Sequence, residues 1–157
     1  MQIVRARPED AEALTEIAFA AKRHWGYPER WIQSWRDVLT ISPELIAANV
    51  AYAAMENDRT LGVYLLTTEN DGLDLGHLWI LPEAMGRGIG RALFEHAVEQ
   101  ARGLGFSKIE IEADPNVEGF YLHMGAERIG TNFSEVDGTR RELPLLVYQI
   151  AAELAGQ

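Results

Sequence analysis

Apolar positions along this chain change their period several times, and each change marks a predicted element. Residues 1–7 read as a first strand. Pro8-Glu9-Asp10 then opens a helix, with proline at its first position and two acids in its first turn. Leu14, Ile17, Ala18, Ala21 and Trp25 keep helical spacing, so one face is predicted to be buried, and Gly26-Tyr27-Pro28 breaks the pattern. A second helix is expected over 29–39 and a short third over 43–49. Residues 50–56, 61–68 and 73–81 read as strands, separated by turn clusters at 57–58 and 69–72. Connections this short imply antiparallel neighbours. A long helix follows over 88–104, with Ile89, Leu93, Ala97, Ala101 and Leu104 inward. Residues 109–114 alternate as a strand that Pro115-Asn116 ends, and 117–124 are helical up to Gly125. Late strands near 126–134 and 143–150 complete the pattern. The expected fold is α/β of the α+β type: a mixed, mostly antiparallel sheet of about seven strands with about four helices. With no repeat, linker or low-complexity tract, residues 1–157 are read as one domain.

Between the strand end Ile80-Leu81-Pro82 and the long helix lie Gly86, Gly88 and Gly90, three glycines at alternate positions. Without side chains there, backbone N–H groups can approach a ligand, at the end of a helix whose dipole favours negative charge. This predicts a phosphate or pyrophosphate site, against the plainer alternative of a turn that is glycine-rich for structural reasons. The dinucleotide fingerprint fails because its third glycine would fall on Arg91, and no Gly-Lys-Ser/Thr ending exists for a P-loop.

The remaining pattern, Met85-x-x-Gly88-x-Gly90, resembles motif A of the GNAT superfamily of acyl-CoA-dependent N-acyltransferases, with Met85 where Gln or Arg is usual. Asn116-x-x-x-Phe120-Tyr121-x-x-x-Gly125-Ala126 resembles its motif B, with Ala126 in place of the usual Phe. The resemblance implies a GNAT-like sheet splayed at the acyl-CoA site. Acetyl-CoA is then the cosubstrate, and its pantetheine arm runs along Leu78, Trp79 and Ile80. Its pyrophosphate sits on the backbone from Gly86 through Arg87, Gly88, Ile89 and Gly90 to Arg91, and Asn116 and Phe120 lie near the arm. The implied reaction is direct attack of a primary amine, on a small molecule or a protein, on the thioester. A non-catalytic acyl-CoA-binding domain of the same fold is the alternative.

Acyl transfer needs a positioned thioester, a neutral amine, and stabilisation of oxyanion and thiolate. Tyr121 matches the motif-B tyrosine and is the candidate general acid, since a phenol is protonated at neutral pH. Packing beside Phe120 is its plainer role. Asn116 is read as a contact of the CoA arm or as the cap of the helix after it. The strand before motif A offers Asp74 and His77 as bases; His77 reads equally as a structural histidine and Asp74 as a turn residue. Trp25, Tyr27 and Trp31 are expected to wall the acceptor pocket, with a cation–π surface. Arg140-Arg141 near the last hairpin are candidates to grip a substrate carboxylate.

Charge and composition narrow the partners. A net charge of −10 argues against nucleic acid, and no apolar run approaches the roughly 18 residues of a membrane helix. The absence of cysteine removes disulfides and thiolate zinc chemistry, and the four histidines show no metal-ligand spacing, so no metal is expected. The N-terminal residues carry no secretion pattern, which makes the cytoplasm the expected compartment. GNAT proteins are often dimers, so a homodimer is among the expected assemblies.

Overall fold

A computed structural model describes residues 1–69 and 71–151. The chain runs β1 (Gln2–Arg5), α1 (Ala11–Arg23), α2 (Glu29–Ser34), α3 (Arg36–Leu39), α4 (Pro43–Ala48), β2 (Val50–Glu56), β3 (Arg59–Glu69) and β4 (Gly72–Ile80). It continues through α5 (Ile89–Gly103), β5 (Lys108–Glu112), α6 (Glu118–His123), β6 (Glu127–Val136) and β7 (Thr139–Gln149). Seven strands form one sheet in the order β1-β2-β3-β4-β5-β7-β6. Every neighbouring pair is antiparallel except β4 and β5, which are parallel.

Among the described residues six α-helices stand where about four were expected. The predicted helix over 29–39 divides at Trp35, whose backbone (φ −93°, ψ 8°) leaves helical geometry and gives α2 and α3. The hairpin turn at Asn57-Asp58 places both residues at positive φ (50° and 64°), the geometry that matches strand twist in a two-residue turn. Asp137-Gly138 does the same between β6 and β7. Of the turn expected at 69–72, Asn70 lies outside the described residues.

The sheet is covered on both faces. One core packs α5 on β3, β4 and β5 through Leu66, Leu73, Leu93, Phe94, Ile109 and Ile111. The other packs α1 and α4 through Leu14, Ile17, Ile41, Ile46, Val63 and Leu65. The fully buried Tyr64 shares a hydrogen bond of 2.7 Å with His96 Nδ1, tying β3 to α5.

Two features of β4 prepare the site. First, Leu65 faces His77 while Leu66 faces Leu75, so Gly76 is an extra residue, a β-bulge. A strict period of two would put residues 73, 75, 77 and 79 on one side. The bulge instead brings Leu73, Leu75, Leu78 and Ile80 all to the α5 core, while Trp79 packs on the α1 side. Second, β4 and β5 are joined at a single register position, Asp74 opposite Glu110. On its other edge β5 is held along its whole length by β7, and Ala113 N–H extends that pairing by donating to Pro144 O at 2.9 Å.

Close packing of β3 beneath this end of β4 depends on Gly62. A Cβ there would meet Ile80 Cδ1 at 2.9 Å, Leu93 Cδ1 at 3.0 Å and Trp79 O at 3.0 Å. The two methyls can turn aside, but the backbone oxygen cannot without moving β4. Gly62→Ala is therefore expected to destabilise the protein by about 1–3 kcal/mol, the usual scale of overpacking. Urea denaturation measures this, and an unchanged midpoint at unchanged slope contradicts the packing argument.

Candidate active site

Where β4 and β5 part, a cleft of about 660 Å³ opens between them. Leu78, Trp79 and Ile80 form one wall, and Val117, Phe120 and Tyr121 the other. Parted strands leave main-chain groups of both without ladder partners, and such groups require other ones. The cleft continues over Ala84, Met85, Gly86, Gly88, Ile89, Gly90 and Arg91 at the start of α5.

The glycines here have separate physical reasons. Gly86 (φ +81°) and Gly88 (φ +82°) sit in the left-handed region that glycine tolerates and other residues resist, with open space where a Cβ would project. Gly90 has ordinary helical geometry, and its Cβ would lie 3.5 Å from the Phe120 ring. The first intrahelical bond runs from Ala92 N–H to Gly88 O at 3.1 Å. Thus the N–H groups of Ile89, Gly90 and Arg91 have no helical acceptor and can serve an anion. The arginines divide: Arg91 lines the cleft while paired with Glu95 at 2.9 Å, whereas Arg87 pairs with Glu56 at 2.7 Å and lies outside it.

Tyr121 is 6% exposed, and what remains faces the cleft. Its ring packs on Phe94 and Phe120, with centroids 6.0 and 5.2 Å away. Among the described residues its hydroxyl has no hydrogen-bond partner, and burial raises its pKa above that of a free phenol. The ring therefore packs while its hydroxyl remains free of protein partners.

Asp74 and His77 do not line the cleft. Asp74 lies at the junction where β4 and β5 are still paired. His77 is buried, and its Nδ1 accepts the Trp79 indole N–H at 2.8 Å. Burial lowers its pKa to about 4, so the ring is neutral with its proton on Nε2. It orients the cleft-lining Trp79 and is poorly placed to take a proton from an amine.

Of the aromatic residues expected at the acceptor pocket, Trp25 lines the cleft; Tyr27 and Trp31 stand behind its wall. Tyr27 stacks on Trp31 at 6.0 Å and meets Trp35 edge-on at 5.1 Å. The cations over these rings are the protein's own. Lys22 Nζ lies 4.7 Å from the Trp35 centroid, and the Arg141 guanidinium lies 4.8 Å from Trp35 and 5.0 Å from Tyr27.

These groups converge on Asp114, a cleft residue just beyond β5. Its carboxylate accepts from Lys22 Nζ at 2.6 Å, from the Tyr27 hydroxyl at 2.9 Å and from Asn116 N–H at 2.8 Å. Asn116 Nδ2 adds a bond at 2.9 Å, and Arg141 Nη2 stands 3.6 Å away. Asp114 thus caps the turn before α6, and Asn116, itself outside the cleft lining, serves that cap. Burial pushes the carboxyl pKa upward, but Lys22 and the donated hydrogen bonds outweigh it, and the result lies below the ordinary value. Burial lowers the pKa of Lys22, which Asp114 partly offsets. Tyr27 is pushed up to about 12, by burial first and then by the neighbouring carboxylate. Residues 22, 27, 114, 116 and 141 are too far apart in the chain for local pattern to reveal this cluster.

Among the described residues no helix is long and apolar enough to cross a membrane, and no group of three metal-ligating side chains converges. Residues 11–126 match the acetyltransferase (GNAT) family. The chain is 36% identical over 156 residues to the peptidyl-lysine N-acetyltransferase YjaB of Salmonella typhimurium, covering 93% of this chain and 95% of that protein. The fold is shared with PaiA N-acetyltransferase from Thermoplasma acidophilum, solved in complex with coenzyme A (TM-score 0.72, 21% identity, 94% and 98% of the two chains). It is shared too with a GCN5-related N-acetyltransferase from Rhodopseudomonas palustris (TM-score 0.77, 19% identity, 94% of each chain). A family match across most of the chain, joined by a relative of this identity and coverage, makes this protein a member of the GNAT acetyltransferase family.

Proposed function

We propose that this N-acetyltransferase moves the acetyl group of acetyl-CoA to the side-chain amine of a lysine, with Tyr121 as the proton donor to the departing thiolate. The observation that carries the reading is the cleft between β4 and β5, with the glycine turn at one end and Tyr121 on its wall. The lysine follows from the relative that acts on peptidyl-lysine.

The chain's groups suit the cosubstrate. The edge of Leu78–Ile80 that faces the gap, opposite its pairing with β3, matches the amides of a pantetheine arm, and the free N–H groups of Ile89–Arg91 match a pyrophosphate. The amine nitrogen attacks the thioester carbonyl carbon, the carbon–sulfur bond breaks, and sulfur takes the Tyr121 proton. Burial that raises the phenol pKa also raises that of a thiolate leaving in the same cleft, so the two remain matched. The acceptor's own proton goes to water, and water returns a proton to the Tyr121 phenolate, which restores the donor; His77 is neutral and bonded to Trp79, and both Asp114 oxygens already accept hydrogen bonds.

Incubation with acetyl-CoA and a panel of lysine peptides and small amines, followed by thiol release and mass spectrometry, tests the reaction. Acetylated lysine is the expected product, and acetylation confined to other amines contradicts the lysine assignment. In the same assay, Tyr121→Phe keeps the ring and removes the donor. Its turnover should fall by roughly 10²-fold or more at saturating substrates, with little change in acetyl-CoA affinity. Near-normal turnover with chemistry rate-limiting removes Tyr121 from the mechanism.

His77 yields a separate test in stability. The folded ring stays neutral down to about pH 4, whereas the unfolded chain binds a proton near pH 6.5. Stability from this group is therefore complete above pH 6.5 and is lost as pH falls towards 4, by up to about 3 kcal/mol. His77→Asn, which keeps an acceptor for Trp79 but does not titrate, should flatten that part of the decline. An identical pH profile for both proteins in chemical denaturation contradicts a buried neutral His77.

A further inference from the structure

We propose that Arg141 binds a carboxylate carried by the acceptor, so that the enzyme prefers amines bearing a negative charge in the same molecule. The inference rests on the acetyl-transfer reading and names its substrate class more narrowly.

The charge balance around Asp114 is uneven. Lys22 and Arg141 bring two cations to one carboxylate, while Tyr27 remains a protonated phenol and Asn116 is neutral. Lys22 takes the close contact at 2.6 Å, and Arg141 stands off at 3.6 Å. Eight other arginines differ in this respect. Arg7, Arg23, Arg30, Arg59, Arg87, Arg91, Arg102 and Arg128 each pair with a carboxylate that Lys22 does not share. The Arg141 side chain is only 10% exposed, much less than most of those. A cation this far out of water normally has a counter-charge of its own.

Part of its donor set is free for one. Nη2 donates to the Tyr27 hydroxyl at 2.8 Å, and the rings of Tyr27 and Trp35 fix the guanidinium plane. Nε and Nη1 have no protein acceptor among the described residues. A planar array of N–H donors, held rigidly and short of negative charge, is matched by a carboxylate. Arg141 itself is not among the cleft-lining residues; it stands directly behind Asp114, which lines the cleft together with Trp25 and Ala21 of the α1 side. A carboxylate bound there belongs to the molecule whose amine enters the cleft. In a chain of net charge −10, this local excess of positive charge sorts acceptors by a feature that the rest of the surface repels.

Matched acceptors test this in initial-rate assays on the whole protein. Nα-acetyl-lysine is compared with its amide, and a blocked Gly-Lys-Glu-Gly peptide with its Gly-Lys-Gln-Gly counterpart. The first pair reads a terminal carboxylate and the second an acidic side chain. At least one pair should show about a tenfold preference in kcat/KM for the carboxylate, expressed mainly in KM. Arg141→Gln should bring that ratio close to one, and Arg141→Lys should restore it only in part, because an ammonium lacks the planar fork. Thermal melts and calorimetric titration with acetyl-CoA establish that the variants are folded and bind the cosubstrate. Acetylation with no preference in either pair overturns the carboxylate site and leaves acetyl transfer standing. A preference that survives intact in a folded Arg141→Gln protein also overturns it. Failure to acetylate any of the four, despite acetyl-CoA binding, overturns the lysine reading and the carboxylate site together.

Discussion

The parting of β4 from β5 is the constraint on which the rest of the site depends. Two parallel neighbours in one sheet would ordinarily satisfy each other's backbone along their length, yet here they meet at one register position. Each unpaired N–H and C=O facing the gap is costly to leave without a partner. The sheet tolerates the gap because the strands are held from their far sides, β4 by β3 and β5 by β7. Phe94, Phe120 and Tyr121 then pack against one another beside it. A ligand that is itself a string of amides can supply the missing partners, and the free N–H groups at the start of α5 suit an anion.

The acceptor side obeys a different constraint. Lys22 of α1, Tyr27 before α2, Asp114 and Asn116 after β5, and Arg141 of β7 must hold each other to bring four segments of chain to one place. Buried ion pairs contribute little net stability, but removing one partner strands the other charge. Such a cluster is better suited to fixing geometry than to adding stability. The Arg30–Asp137 pair gives the β6–β7 turn a second hold on α2. The resulting wall carries both Asp114 and Trp25 to the cleft.

Where backbone geometry is set by neighbours in sequence, the chain was legible. The glycine turn, the strand before it and the helix after it lie within a few residues, and their backbone requirements are local. The seven strands followed from hydrophobic period, the antiparallel pairing of those over 50–81 from short turns, and the mostly antiparallel order of the whole sheet from the family resemblance. Long-range features were not legible. The bulge at Gly76 depends on how β4 registers with β3, so strict alternation over 73–80 could not anticipate that Leu78 rejoins the face of Leu75. His77 has a reactive side chain in sequence, but burial and Trp79 decide its protonation. Trp25, Tyr27 and Trp31 suggested an acceptor pocket with a cation–π surface. Lys22 and Arg141, the former far from the latter in sequence, instead lie over Tyr27 and Trp35.

Amide hydrogen exchange, resolved by residue with and without acetyl-CoA, tests most directly whether the gap between β4 and β5 is the cosubstrate site. The account predicts slowed exchange at Leu78–Ile80 and at Ile89–Arg91 on binding, with little change along β1 and β2. Binding that slows exchange elsewhere, and leaves those two segments as they were, would contradict it.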